Sequence, residues 1–128
     1  MNLIIGGYAQ GKLNYVLQKY GLEAGSVWDG VMPTEDVLLS GKTVIINHFH
    51  NYIKACIGVG GCPEQEVTAW LERCQDCIII SDEIGNGIVP IDAQEREYRE
   101  RTGRILVELA GKAEEVVRVI CGQGQKIK

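Results

Sequence analysis

The chain has 128 residues, a formal net charge of −4 and a pI near 5.2, which suits one domain built on a single sheet and is too short for two independent cores. An acidic chain with no basic stripe argues against a nucleic-acid surface, and no apolar run reaches the length that crosses a bilayer. Met1 leads straight into an apolar run with no room for a secretion signal, and five cysteines in a chain that is 45% hydrophobic point to reduced thiols rather than a disulfide framework, so a cytoplasmic protein is expected.

The first dozen residues organise the rest. Leu3-Ile4-Ile5 reads as a buried strand that feeds into Gly6-Gly7-Tyr8-Ala9-Gln10-Gly11-Lys12, a spacing in which glycines let successive backbone N–H groups turn toward phosphate oxygens while the lysine reaches the outer phosphates. Apolar residues at Leu13, Val16, Leu17 and Tyr20 then predict a helix, whose N-terminus favours an anion. The residue after the lysine is Leu13 rather than the Ser or Thr whose hydroxyl helps hold Mg²⁺. The alternative for this stretch is a tight strand-to-helix turn that binds nothing.

Gly21 stops the helix, and the turn-rich stretch from Gly25 to Pro33 holds at most a short strand. Thr34-Glu35-Asp36 signals a helix start with Thr34 as cap, which Gly41 cuts to two turns. Thr43-Val44-Ile45-Ile46 is a strand buried on both faces, ending in the polar run Asn47-His48-Phe49-His50-Asn51 where parallel sheets bind ligands. In phosphate-loop proteins this strand end carries an acid that supports Mg²⁺, and here the position is Asn47. His48 and His50 are open to several readings: a metal pair, a covalent nucleophile near the phosphates, polar contacts lining a cleft, or surface histidines.

A short helix is predicted from Tyr52 to Ile57, a flexible connection from Gly58, and a further helix from Pro63 with Val67, Trp70, Leu71 and Cys74 at helical spacing. Cys74-Gln75-Asp76-Cys77 closes a helix and enters a strand, the reverse of a thioredoxin-type motif, so two small junction residues are expected there. Cys77 to Ser81 is a third buried strand, delivering Asp82-Glu83 and a glycine-bearing loop to the sheet's carboxyl edge. Asp92 caps a helix from Ala93 to about Gly111, with an arginine-rich first half that is a solvated face or reaches a phosphate or a neighbouring subunit. The last strand is Glu115 to Cys121, after which Gln123 to Lys128 trails off as a solvated tail.

The segment Ser81-Asp-Glu-Ile-Gly-Asn-Gly-Ile-Val-Pro90, taken with Arg101-Thr-Gly-Arg104, the closing Val-Val-Arg-Val-Ile-Cys-Gly and the terminal Lys-Ile-Lys, resembles the bifunctional adenosylcobinamide kinase/adenosylcobinamide-phosphate guanylyltransferase family of cobalamin biosynthesis. The resemblance runs from about Thr43 to the end, is supported by the glycine loop, and is lost between about Gly21 and Gly41. It implies an α/β, RecA-like P-loop fold with a mostly parallel central sheet covered by helices, assembled as a homo-oligomer, a trimer. It also implies phosphorylation of the cobinamide hydroxyl by ATP or GTP with Mg²⁺, and transfer of GMP through a guanylyl-histidine. The nucleotide site carried over comprises Gly6, Gly7, Tyr8, Ala9, Gln10, Gly11, Lys12, Leu13 and Asn47, with Lys12 and Glu83 as catalytic residues. No metal ligand is carried over, because the usual Ser and acid positions are Leu13 and Asn47. The family's guanylyl-accepting histidine has no counterpart, since neither His48 nor His50 occupies its place and the chain is shorter by about that segment. Three functions stand from the sequence: a reduced cobinamide kinase, a non-catalytic nucleotide- or corrinoid-binding regulator or partner of a full-length enzyme, and a small hydrolase using the same loop.

Overall fold

The structure, a computed structural model, describes residues 1–23, 27–74, 76–84 and 91–128. Gly25 and Ser26, Gln75 of the Cys74–Cys77 spacing, and Gly85 to Pro90 of the glycine-bearing loop lie outside the described residues.

Five strands run parallel: β1 (Asn2–Gly6), β2 (Val27–Asp29), β3 (Val44–Asn47), β4 (Cys77–Asp82) and β5 (Glu115–Ile120). A sixth, β6 (Gln123–Lys126), pairs antiparallel with β5, giving the order β2-β3-β4-β1-β5-β6. The helices are α1 (Lys12–Tyr20), α2 (Glu35–Leu39), α3 (Phe49–Gly58), α4 (Pro63–Arg73) and α5 (Ala93–Lys112). This is an α/β fold of the P-loop type.

Strand periodicity divides the core between the two faces. Leu3, Val44, Ile46, Ile79 and Val116 pack on one side with Phe49 and Ile53 of α3, Val67 and Trp70 of α4, and Ile105 and Leu109 of α5. Ile4, Ile45, Ile78, Ile80, Val117 and Val119 point the other way onto Val16 of α1. Neighbouring residues of one strand therefore serve opposite layers, which is why the strands read as continuous apolar runs rather than alternating ones. Burial of each such side chain contributes about 1.5–3 kcal/mol.

Two expected elements differ. Helix α3 starts at Phe49 instead of Tyr52, because His48 takes the left-handed conformation (φ 52°) and turns the chain from β3 directly into the helix. The polar run after β3 is therefore the first turn of a helix, and His50 lies inside it. The tail after β5 is β6, reached by a two-residue turn in which Cys121 (φ 50°) and Gly122 (φ 75°) both have positive φ, the geometry whose twist matches a hairpin. Gly124 has no Cβ to place, and one there would lie 2.4 Å from the Tyr15 ring of α1, so the hairpin packs directly on the first helix.

Other expectations hold. The region after α1 contains the three-residue strand β2, Pro63 opens α4, and Asp92 caps α5 by accepting from the Gln94 N–H (2.8 Å). Thr34 stands at the N-cap of α2 but makes no side-chain cap bond. All five cysteines are free thiols, and burial pushes Cys77 up to about 12. No described helix is long and apolar enough to cross a membrane.

Candidate nucleotide site

Strand β1 ends at Gly6, which stands opposite Asp82 of β4 in the parallel register, while Asp29 of β2 stands opposite Asn47 of β3. Four strand ends thus meet at the carboxyl edge, over a cleft of about 380 Å³ lined by Tyr8 to Asn14, Asn47, His48 and Asp82. Ligands bind such sheets at this edge.

The glycine loop spans residues 7 to 11 and has specific steric reasons for its composition. A Cβ on Gly6 would lie 2.5 Å from the Val119 carbonyl oxygen, and Gly11 (φ 82°) is left-handed at the N-cap of α1. Ala9 also has positive φ. The β5–β6 turn fastens the loop from the side: the Cys121 N–H donates to Gln10 Oε1 and the Gly122 N–H to the Gln10 carbonyl, both at 2.8 Å. The hairpin that the sequence concealed thus fastens the glycine loop.

Lys12 opens α1, yet its side chain is nearly buried. Its Nζ donates to the Gly7 carbonyl (2.6 Å) and meets Asp82 Oδ1 (2.7 Å). The other oxygen, Asp82 Oδ2, lies 3.3 Å from His50 Nε2, and the Asp82 backbone N–H donates to His50 Nδ1 (3.1 Å). The Tyr98 hydroxyl of α5 donates to the His50 carbonyl at 3.1 Å. Burial lowers the His50 pKa, outweighing the opposing pull of the Asp82 carboxylate, so its ring is neutral at pH 7.

Glu83 faces elsewhere. Its two oxygens take Arg118 Nε (2.7 Å) and Nη2 (3.0 Å) in a bidentate pair, and its N–H donates to the Gly6 carbonyl. The acid that meets Lys12 is Asp82. At the outer side of the cleft, Asn47 Nδ2 donates to Asp29 Oδ1 (3.1 Å), and His48 Nδ1 meets the same oxygen. His48 is a half-exposed side chain at the cleft mouth, whereas His50 is buried, so a surface reading fails for the second histidine. Among the described residues no group of three or more His, Cys, Asp or Glu side chains is arranged to hold a metal.

Leu13 offers no oxygen to a cation, and Asn47 commits its amide nitrogen to Asp29. Asp82 remains as a carboxylate on the cleft. Mg²⁺ that accompanies a nucleotide is commonly held by one or two carboxylates plus the phosphates, so a single acid is a workable fit.

Residues 34–127 match the family described as cobinamide kinase / cobinamide phosphate guanyltransferase, CobU. The chain belongs to this family. It is 36% identical over 69 residues to the bifunctional adenosylcobalamin biosynthesis protein CobU of Salmonella typhimurium, an alignment covering 51% of this chain and 38% of that protein. A protein of the same name from Escherichia coli is 37% identical over 67 residues, covering 49% of this chain and 37% of its own. The chain thus spans well under half the length of these curated relatives in the matched segment. The family match starts at residue 34 and does not include the glycine loop, so the case for residues 6 to 13 rests on the strand, loop and helix geometry itself.

Asp29 and Tyr98 carry no signal of their own in the sequence. Asp29 sits in a turn-rich stretch and Tyr98 on an ordinary apolar stripe, while Arg118 falls within the closing segment that carries the family resemblance, with nothing in the sequence to pair it with Glu83.

Proposed function

We propose that the chain is a P-loop nucleotide-binding unit of cobalamin biosynthesis that holds ATP or GTP in the carboxyl-edge cleft for phosphoryl transfer to the hydroxyl of a cobinamide. What supports this most is the placement of Lys12: it stands at the head of α1, at the floor of the glycine loop, with its Nζ against an acid on the neighbouring strand. Backbone N–H groups of Gly7 to Lys12 cradle the phosphates, and the N-terminus of α1 adds its partial positive charge. Lys12 leaves Asp82 to pair with the outer phosphates. Asn47 and Leu13 border the nucleotide without binding a metal, and Glu83 acts through Arg118 by fixing the end of β4 beside Gly6.

Mg²⁺, when bound, neutralises charge on the transferred phosphoryl group. Asp82 is the residue that faces it. Guanylyl transfer is assigned to no residue of this chain. The unit works in the cytoplasm as one domain and assembles as a homo-oligomer, a trimer.

A second reading, a nucleotide- or corrinoid-binding regulator or a partner of a full-length enzyme, is favoured by Leu13 and Asn47, which remove two ordinary supports of Mg²⁺. Calorimetric titration with ATP, GTP and adenosylcobinamide separates the two. Nucleotide and corrinoid binding followed by phosphate transfer supports the kinase; binding without transfer supports the regulator; no nucleotide binding overturns the kinase and leaves a fold kept for interaction alone.

A further inference from the structure

The buried histidine of α3 has one main partner. His50 Nδ1 accepts the Asp82 backbone N–H (3.1 Å), and the ring stands beside the Asp82 carboxylate, with Nε2 3.3 Å from Oδ2. One imidazole therefore holds the main chain of Asp82 and lies against its carboxylate. The grip is itself anchored, because Tyr98 of α5 donates to the His50 carbonyl, and Lys54 of α3 lies over the Tyr98 ring while pairing with Glu95.

As the acceptor for the Asp82 N–H, the His50 ring orients the end of β4 at the cleft. The charged or titratable groups around His50 among the described residues are Asp82 on β4, Lys12 on α1, His48 beside it, Asp29 on β2 and Tyr98 on α5. Of these, Lys12 is the one that a phosphate draws away, and Asp82 Oδ1 then faces the cleft while the Asp82 N–H stays on His50.

We propose that His50 is a positioning residue that presents Asp82 as the cation-facing carboxylate of the cleft, so that the acid on β4 takes over the support that Asn47 at the end of β3 does not give. The proposal rests on the nucleotide reading above and adds to it a dependence on Mg²⁺ that passes through a residue touching neither nucleotide nor metal. Outer partners that orient a metal's ligand are commonly worth about 10–100-fold in metal affinity.

The test is titration calorimetry of the full chain with ATP and with GTP, each with and without Mg²⁺, for the wild type, His50→Leu and His50→Gln. The quantity read is the ratio of the two affinities, which a general loss of packing does not move selectively. The wild type is expected to gain on Mg²⁺ addition, His50→Leu to lose about tenfold or more of that gain while keeping its metal-free affinity, and His50→Gln, which keeps an acceptor for the Asp82 N–H, to recover part of it. Tyr98→Phe, which loosens the anchor and leaves the imidazole in place, is expected to lower the ratio in the same direction and serves if His50→Leu does not fold. An unchanged ratio in folded His50→Leu or Tyr98→Phe, or a wild type whose affinity ignores Mg²⁺, overturns this inference and leaves nucleotide binding standing. A wild type that binds neither nucleotide overturns the function itself.

Discussion

Lys12 Nζ lies 2.7 Å from Asp82 Oδ1, an ion pair between the first residue of α1 and the last residue of β4. The pair sets opposite charges against each other in the cleft, and under the proposed function a phosphate competes with the carboxylate for the lysine. Asp82→Asn removes that competitor and one negative charge from the cleft. The expected result is metal-free ATP or GTP affinity raised by about three- to tenfold, equivalent to roughly 1 kcal/mol, together with a smaller response to Mg²⁺, both read by titration.

The glycine loop makes a steric prediction that does not depend on any ligand. Gly6→Ala drives a Cβ to 2.5 Å from a backbone oxygen of β5, whereas a Cβ on Gly7 would meet only the Gln10 side chain at 3.6 Å. Gly6→Ala is expected to destabilise the fold by about 1–3 kcal/mol, and Gly7→Ala to stay within about 0.5 kcal/mol. Urea unfolding monitored by circular dichroism distinguishes them.

The strand, glycine loop and helix order at the start of the chain, the β-strand runs and the end of β4 were legible in the sequence because each is a local pattern: glycine spacing, apolar runs buried on both faces, and acids after a strand. The rest was set by pairing across the chain. Nothing in Gln123 to Lys126 is apolar, so β6 was invisible until the Cys121-Gly122 turn folded it onto β5. Likewise His50 looks like a cleft or surface residue in a polar run, and only the left-handed His48 shows that the run is already helix. The choice between Asp82 and Glu83 also required the fold, since adjacent residues leave a strand in opposite directions and Arg118 takes the second.

Stability should depend on pH through His50. Burial lowers its folded pKa below the usual 6.5, so the unfolded chain binds more protons near and below that value and stability rises with pH through this window. The contribution is complete above 6.5 and is lost as the pH falls toward the folded pKa. Urea midpoints at pH 7.5 are expected to exceed those at pH 5.5, with a shallower slope in His50→Gln. Glu64, held down to about 2 by Arg101, weakens the fold only below its ordinary 4.5, whereas the His50 effect sets in already below 6.5.

Asn47 is locked into the outer end of the cleft by Asp29. Asn47→Asp replaces the donor with a carboxylate beside another carboxylate, and is expected to cost about 1–3 kcal/mol at neutral pH. Asp29→Asn in the same chain should recover part of that loss, an interaction that a double-mutant cycle measures. Leu13→Ser, which supplies the missing hydroxyl, is expected to increase the affinity gained from Mg²⁺ in nucleotide titrations.

The most direct test is the affinity of the purified chain for ATP and GTP, by calorimetry, beside the Lys12→Ala variant. Saturable binding of one nucleotide by the wild type, with affinity reduced by about tenfold or more in folded Lys12→Ala, is the predicted result. Equal affinity in the two proteins, or no binding by the wild type, would contradict the assignment of residues 6 to 13 as a phosphate-binding loop.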